Sequence, residues 1–424
     1  MTRAAVRPSV IRGTVKAPPS KSYTHRALVA GFLTERPYRV KGPLVSDDTN
    51  ATARALEALG TQVERQPSAW TLRPRGRSSN QISIDCGESG TTLRFVATLA
   101  AKSGGSARLS GHGRLPVRPM APLVAALREL GATVRNVGVN GRSLPLEIRG
   151  PIHGGSLQLD ASKSSQFASS LLLTLPTLEP SSRLRLVGPI VSEGYLESTL
   201  SVLRCHRVQA DRRGRTFVIP GGQAYHGNSF TVPGDASSAA YLLTAAAVSR
   251  GAVRVLGISP RWPQADLAIL DLLRAADVRV STQHNAATVE GGSISAFDFD
   301  FTGAPDLYPL AGVLAALADG TSHLRGAPQV ADKESDRRGA TKRLARAIGA
   351  TVVDRRGDLL VRGTSRRHGF ELRGETDHRV VMSAAVGALA AEGPSTIEDA
   401  SVVSKSFPGF WDTLRSLGAE VEVA

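Results

Sequence analysis

The stretch Leu123-Val-Ala-Ala-Leu-Arg-Glu-Leu-Gly-Ala-Thr-Val134 reads as an amphipathic helix (Leu123–Leu130), a glycine, and a short β-branched strand (Ala132–Val134). Glycine directly after a helix is the expected left-handed cap, and the apolar helix face needs a sheet to cover. The same pattern returns as Ala53–Leu59, Gly60 and Thr61–Val63. It recurs as Leu196–Leu203 leading to Val208, and as Leu267–Ala276 leading to Val278–Val280. The last two copies are Lys342–Ile348, Gly349, Ala350–Val353 and Trp411–Leu417, Gly418, Ala419–Val423. The turn positions Gly60, Gly131, Arg207, Asp277, Gly349 and Gly418 lie 69 to 76 residues apart. That period exceeds the usual solenoid repeats and suits a supersecondary unit of two helices and several strands. Ser156–Asp160, Arg183–Val187 and Ala252–Leu256 supply alternating strands for it. Three units would build one domain and three another, with the break near Gly227 to Gly234, where Pro233-Gly234 marks a new start. An extended segment, Val10 to Val15, precedes the first unit and is halted by Pro18-Pro19. The residues alone allow it to join either half.

The 424 residues suffice for two or three domains. A 41% hydrophobic content with 42 glycines and 24 prolines fits a globular, loop-containing enzyme. No apolar run reaches the length of a membrane span and the first ten residues lack a signal-peptide core, so a cytoplasmic protein is expected, away from membranes. Two cysteines, Cys86 and Cys205, make no disulfide framework, and Cys86 reads as a packed thiol in a strand. No His/Cys/Asp cluster has metal-ligand spacing, so no metal is expected. The net charge of +15 comes mostly from scattered arginine without aromatic interleaving, which is weak evidence for nucleic acid; a compositional habit of the source is the main cause, with steering of an anionic small substrate as an added effect.

Five polar regions interrupt the repeat. In Pro18-Pro-Ser-Lys-Ser-Tyr-Thr-His-Arg26, Ser20, Lys21 and Ser22 fall on the first turn of a helix. Free N–H groups and the positive dipole end there favour an anion. An ordinary serine-capped helix with solvated cations is the competing reading, and the missing glycines exclude a P-loop. Asp85-Cys-Gly-Glu-Ser-Gly-Thr-Thr-Leu-Arg94 is a strand end, a turn and a second helix start, with a Thr cap as the bland alternative. Arg114-Leu-Pro-Val-Arg118-Pro119 sets a proline beside a guanidinium able to clamp a carboxylate or phosphate. Ser162-Lys-Ser-Ser-Gln-Phe167 offers three hydroxyls and an amide where one suffices for capping. The fifth comprises Asp332-Lys-Glu-Ser-Asp-Arg337, Asp377-His-Arg379 and Lys405-Ser-Phe-Pro408. Only eight residues are lysine, and Lys21, Lys163, Lys333 and Lys405 all sit in these regions.

Taken together the chain resembles the enolpyruvyl transferase family, and within it the branch acting on shikimate 3-phosphate. The stretches that carry the resemblance run in the family's order across nearly the whole chain. They are Pro19-Ser-Lys-Ser with Arg26, Gly87-Glu-Ser-Gly-Thr-Thr-Leu-Arg94, Arg118-Pro119, Asp160 with Ser164-Ser-Gln-Phe167, and Val191-Ser-Glu-Gly-Tyr195. Gly234-Asp-Ala-Ser-Ser238, Pro305-Asp306, Lys333-Glu-Ser-Asp-Arg337, Asp377-His-Arg379 and Lys405-Ser-Phe-Pro408 complete the set. The resemblance implies an α/β fold, a two-domain inverse α/β barrel of six βαβαββ units. The first domain would span 20–232, and the second 1–19 plus 233–424. It implies enolpyruvyl transfer from phosphoenolpyruvate to the 5-hydroxyl of shikimate 3-phosphate, in aromatic amino-acid biosynthesis, by a monomer with no cofactor. Asp306 is the implied base, Glu334 the proton donor and Lys333 a relay beside both, with Lys21 touching both ligands. Shikimate 3-phosphate would take Lys21, Ser22, Arg26, Ser164, Ser165, Gln166, Ser192, Tyr195, Asp306, Gln329 and Lys333. Phosphoenolpyruvate would take Lys21, Gly90, Arg118, Gln166, Arg337, Arg379 and Lys405. Glu88 and Gln329 stand where many members carry Asn.

Two other readings bear weighing. A sister transferase acting on a UDP-amino sugar relies on a loop cysteine, and the corresponding Gly111 to Arg118 segment has none. An RNA-binding or RNA-end-processing protein would explain the charge, and predicts affinity that falls steeply with salt.

Overall fold

The computed structural model describes residues 2–76 and 81–424; residues 1 and 77–80, within the expected spans 1–19 and 20–232, lie outside the described residues. Two compact units appear, Met1–Pro18 with Pro233–Ala424, and Pro19–Val232.

Six four-stranded sheets are present among the described residues. In the Pro19–Val232 unit one sheet runs Gln81–Asp85, Ser106–Ser110, Leu146–Arg149, Thr133–Asn136. Its first pair is parallel and the next two are antiparallel. The unit's other two sheets repeat that order and sense, as do all three of the second unit. The repeated unit is therefore strand–helix–strand–helix–hairpin. Two sheets are completed from a distance. Ser229–Thr231 pairs in parallel with Tyr38–Lys41 and closes the first sheet of its unit. In the second unit Arg12–Lys16 pairs with Ala252–Leu256, and Arg3–Val6 inserts between Ser395–Glu398 and Val421–Val423. The extended N-terminal segment thus joins the second unit, as two strands rather than one.

The two helices of each repeat differ in kind. The first is buried nearly all round: Lys21–Leu33, Gly90–Lys102 and Ser165–Thr174 in one unit, Ala236–Val248, Tyr308–Ala316 and His378–Ala388 in the other. In each unit these three form the apolar interior and the sheets form its wall. The second helix is amphipathic and covers its sheet from outside. Its end follows the pattern read from the sequence. Gly60, Gly131, Arg207, Asp277, Gly349 and Gly418 all have φ between +56° and +115°. At Gly131 the Ala132 N–H donates to the Leu127 carbonyl at 2.9 Å, closing a Schellman-type end.

Local boundaries depart from expectation in four places. Cys86 follows the Gln81–Asp85 strand instead of lying in it, though it is fully buried. Ser89, not a threonine, caps the Gly90 helix, its hydroxyl accepting from Thr92 N–H. No strand forms at Val208; the next begins at Asp211. The Leu267–Ala276 helix opens as a 3-10 turn, Ala265–Ala268, ahead of the α-helix Ile269–Ala275.

Candidate active site

The N-termini of the buried helices carry the polar clusters. In the Pro19–Val232 unit, Lys21 is the first residue of its helix and Nζ lies 3.0 Å from Asp48 Oδ2. Asp48 comes from the neighbouring helix Asp47–Ala58, whose start is fixed by a Ser46–Thr49 capping box. Arg26 is 2% exposed. Its Nε donates to Thr199 Oγ1 at 2.9 Å, Nη1 to the Ser22 carbonyl at 3.0 Å, and Nη2 to the Tyr195 carbonyl at 2.9 Å. Nη2 also reaches Ser169 Oγ at 3.3 Å, and the guanidinium sits over the Phe95 ring. Burial pushes its pKa down to about 10, which still leaves it charged at neutral pH.

Gly90 and Arg118 meet face to face. A Cβ built on Gly90 would lie 2.7 Å from Arg118 Cζ, so only glycine lets the guanidinium rest against this backbone. The amide of Gln166 bridges two elements: Nε2 donates to Thr91 Oγ1 at 2.9 Å, and Oε1 accepts from Arg94 Nη1 at 2.5 Å. Ser164 caps the Ser165 helix and its hydroxyl accepts from Gln166 N–H. Ser192 is buried and has φ +55°, a left-handed conformation unusual for serine. Under these residues runs a buried chain of hydrogen bonds, His25 Nδ1 to Thr52 Oγ1 at 2.7 Å and Thr52 to Thr92 at 2.7 Å, continuing to Ser89 at 2.8 Å.

In the second unit three carboxylates surround one guanidinium. Arg337 is 1% exposed; Nε donates to Asp377 Oδ2 at 2.7 Å, Nη1 to Asp306 Oδ1 at 2.6 Å, and Nη2 to Glu334 Oε2 at 2.6 Å. Asp377 also caps the His378 helix, accepting from Arg379 N–H at 2.9 Å. Arg379 Nη2 returns to Asp306 Oδ2 at 2.8 Å, and Lys333 Nζ stands 4.0 Å from Oδ1. Burial alone would push the Asp306 carboxyl up. Arg379, Arg337 and Lys333 outweigh it and hold the group well below the usual carboxylate range, against opposition from Glu334. Lys405 Nζ donates to the Thr376 carbonyl at 3.3 Å, beside Asp377. Deleting one partner of so buried a charge pair costs roughly 3–5 kcal/mol, because the other charge is stranded.

Most expected site residues therefore gather in two clusters, one per unit. In the first unit these are Lys21, Ser22, Arg26 and Tyr195, with Gly90, Arg118, Ser164, Ser165 and Gln166; in the second they are Asp306, Lys333, Glu334, Arg337, Arg379 and Lys405. Gln329 lies in the 3-10 turn Pro328–Asp332 directly before Lys333; it is 2% exposed and its Nε2 donates to the Thr302 carbonyl at 3.3 Å. Sequence reasoning passed over Asp48 and Arg94. Arg94 ends a quoted motif, whereas nothing in the sequence marked Asp48, and only the packing shows that they hold Gln166 and Lys21.

Two units of three βαβαββ repeats, with polar side chains gathered at the starts of the buried helices, place this chain among the enolpyruvyl transferases, as the following likenesses show. It aligns over its full length with the structure of EPSP synthase from Acinetobacter baumannii (TM-score 0.84, 23% identity, all of both chains). It aligns similarly with the enolpyruvyl transferase NikO from Streptomyces tendae (TM-score 0.81, 18% identity, 100% of this chain and 99% of that one). The EPSP synthase (3-phosphoshikimate 1-carboxyvinyltransferase) family profile matches residues 6–414, so the chain belongs to that family. Relatives named 3-phosphoshikimate 1-carboxyvinyltransferase include those of Halobacterium salinarum, 40% identical over 99% of each chain, and Thermococcus kodakarensis, 41% identical over 96% of this chain and 98% of that one.

Proposed function

We propose that the protein transfers the enolpyruvyl group of phosphoenolpyruvate to the 5-hydroxyl of shikimate 3-phosphate, releasing phosphate, in aromatic amino-acid biosynthesis. The observation that carries this reading is Asp306, an ionised carboxylate held by Arg337, Arg379 and Lys333 beside a second carboxyl, Glu334. The chemistry needs a base for the hydroxyl, an acid for the methylene carbon and cations for the phosphate and carboxylate. Asp306 is the base, Glu334 the acid, and Lys333 passes protons beside them.

As it stands Asp306 is too weak a base for the task, because three cations stabilise its charge. Phosphoenolpyruvate supplies the remedy. Its carboxylate and phosphate engage Arg337, Arg379 and Lys405, drawing the guanidiniums from Asp306 and raising its proton affinity once the donor substrate is in place. In the other unit Gly90, Arg118 and Gln166 serve phosphoenolpyruvate. Ser164, Ser165, Gln166 and Ser192 serve the 3-phosphate and ring. Lys21 leaves Asp48 for the two anions, while Arg26 fixes Ser22 and Tyr195 for the shikimate end. Gln329, with its amide turned to Thr302, supports the loop that carries Lys333. The enzyme works as a cytoplasmic monomer on small molecules, without nucleic acid. Neither Cys86 nor Cys205 forms a disulfide, and among the described residues no helix is long and apolar enough to cross a membrane.

The test is phosphate release from phosphoenolpyruvate and shikimate 3-phosphate, with the carboxyvinyl ether identified by mass spectrometry. Release that requires both substrates is expected. Release with a UDP-amino sugar, and none with shikimate 3-phosphate, would overturn the reading.

A further inference from the structure

The hydrogen-bonded chain His25–Thr52–Thr92–Ser89 joins three helices of the Pro19–Val232 unit, and its proton order follows from its ends. All four residues are buried. Thr92 stands at a branch: its Oγ1 donates to Ser89 Oγ at 2.8 Å and reaches the Asp48 carbonyl at 3.2 Å. Ser89 Oγ also accepts the Thr92 N–H, and a carbonyl can only accept, so both branches take the Thr92 proton. A hydroxyl has one proton. Thr52 Oγ1, 2.7 Å away, must therefore donate to Thr92. Thr52 in turn must accept from His25 Nδ1, also at 2.7 Å. Burial, then the charges of Lys21 and Arg26, keep His25 neutral, so a proton on Nδ1 leaves Nε2 bare. That nitrogen is buried and has no hydrogen-bond partner, which a lone pair tolerates better than an N–H does.

We propose that Thr92 is a positioning residue for the phosphoenolpyruvate end of this unit, its hydroxyl locking the Lys21–Asp48 pair to the turn that carries Gly90 and Thr91. The inference rests on the reading of Lys21, Gly90 and Gln166 as the groups that hold phosphoenolpyruvate. One branch fixes the backbone of Asp48, whose carboxylate holds Lys21 Nζ at 3.0 Å. The other fixes Ser89, the cap of the helix on which Gly90 faces Arg118 and Thr91 Oγ1 accepts from Gln166 Nε2 at 2.9 Å. Capping that helix needs only the bond from Thr92 N–H to Ser89 Oγ. The branch to Asp48 and the supply of a proton from His25 exceed that need. Linked hydrogen bonds in a dry interior polarise and stiffen one another, so one hydroxyl sets two helix starts that come from distant parts of the sequence.

The experiment measures kcat and the KM for each substrate in wild type, Thr92→Val, Thr92→Ser, Thr52→Val and Lys21→Met. Thr92→Val keeps the shape without the hydroxyl. Its KM for phosphoenolpyruvate should rise about two- to tenfold, the scale of one hydrogen bond, with KM for shikimate 3-phosphate within about twofold of wild type. Thr92→Ser keeps the hydroxyl and should restore the wild-type value. Thr52→Val should raise the same KM by a smaller factor, because Thr92 retains both acceptors. A merely structural role would lower the urea midpoint and leave both KM values unmoved, or move them alike, and either result overturns the proposal. If Thr92→Val fails to fold, Thr52→Val decides: an unmoved KM for phosphoenolpyruvate overturns it. Nitrogen NMR of His25 in the wild type should find the proton on Nδ1, and a proton on Nε2 overturns the order of the chain and the proposal with it. A raised KM for phosphoenolpyruvate in Lys21→Met but not in Thr92→Val rejects the role of Thr92 alone. An unmoved KM in Lys21→Met rejects the site reading as well.

Discussion

Arg337 Nη1 and Arg379 Nη2 hold opposite oxygens of the Asp306 carboxylate, at 2.6 and 2.8 Å. The proposed base is thus clamped by the side chains proposed to hold the donor substrate, so that the protein's own carboxylates occupy the cradle proposed for its anions. Asp306→Asn keeps the size of the side chain but cannot take a proton. Its kcat should drop by roughly 10²–10⁴, and Glu334→Gln should behave alike, both with unchanged circular dichroism. Phosphate-release rates near wild type in either variant would remove that residue from the chemistry.

The Lys21–Asp48 pair is the same device in the other unit, less deeply buried. Asp48→Asn removes a competitor for the lysine. KM for phosphoenolpyruvate should fall about two- to fivefold, the scale of a partly exposed ion pair of up to about 1 kcal/mol. A raised KM would mean that Asp48 orients Lys21 more than it competes for it.

Gly90→Ala inserts a methyl group where the Arg118 guanidinium rests, 2.7 Å from Cζ. The arginine side chain must swing away. The cost should appear as a roughly tenfold higher KM for phosphoenolpyruvate, about 1.4 kcal/mol of binding, with stability nearly unchanged. An unaltered KM would show that Arg118 does not bind that substrate from this position.

His25 is buried against Thr52, and burial, then the charges of Lys21 and Arg26, push its pKa well below the ordinary value. The unfolded chain therefore binds a proton near pH 6.5 that the folded one refuses. Stability should fall as the pH drops below about 6.5, by up to about 1.4 kcal/mol per pH unit from this group. Asp266 acts in the opposite sense, since its folded form keeps a proton up to about pH 6. The comparison is thus between wild type and His25→Gln by urea unfolding at pH 5 to 7. The variant should lose one proton's worth of slope, and equal slopes would contradict it.

The repeat was legible because the outer helix of each unit has a wet face and a forced end. Every turn position aligned in the sequence is left-handed, even where the residue is Arg207 or Asp277. The inner helices were less legible. Ala236–Val248 and Tyr308–Ala316 are buried nearly all round and carry no helical rhythm. The cationic clusters stood out because lysine is scarce here and hydroxyls exceeded what capping needs. Asp48 did not, because a single aspartate acquires its meaning from a partner distant in sequence.

Those turn positions also separate backbone strain from crowding. Gly349 and Gly418 both have positive φ, but a Cβ on Gly349 would lie 2.8 Å from the Arg366 carbonyl oxygen, whereas Gly418 has its nearest neighbour at 3.6 Å. Alanine at either should cost about 1–2 kcal/mol for the conformation, and at Gly349 a further 1–3 kcal/mol for the clash. Urea midpoints ranked the other way would refute this.

The strand Arg3–Val6 lies between Ser395–Glu398 and Val421–Val423. On a ribosome it emerges ahead of both neighbours and waits while the residues between them are threaded out. The Pro19–Val232 unit, which needs nothing beyond Thr231 to finish its sheets, can settle during synthesis. The other unit can close the sheet that holds Arg3–Val6 only once Val421–Val423 has emerged. Its earliest residues spend the longest time without neighbours, and a chain cut short before Val421 would lack the strand that seals them in.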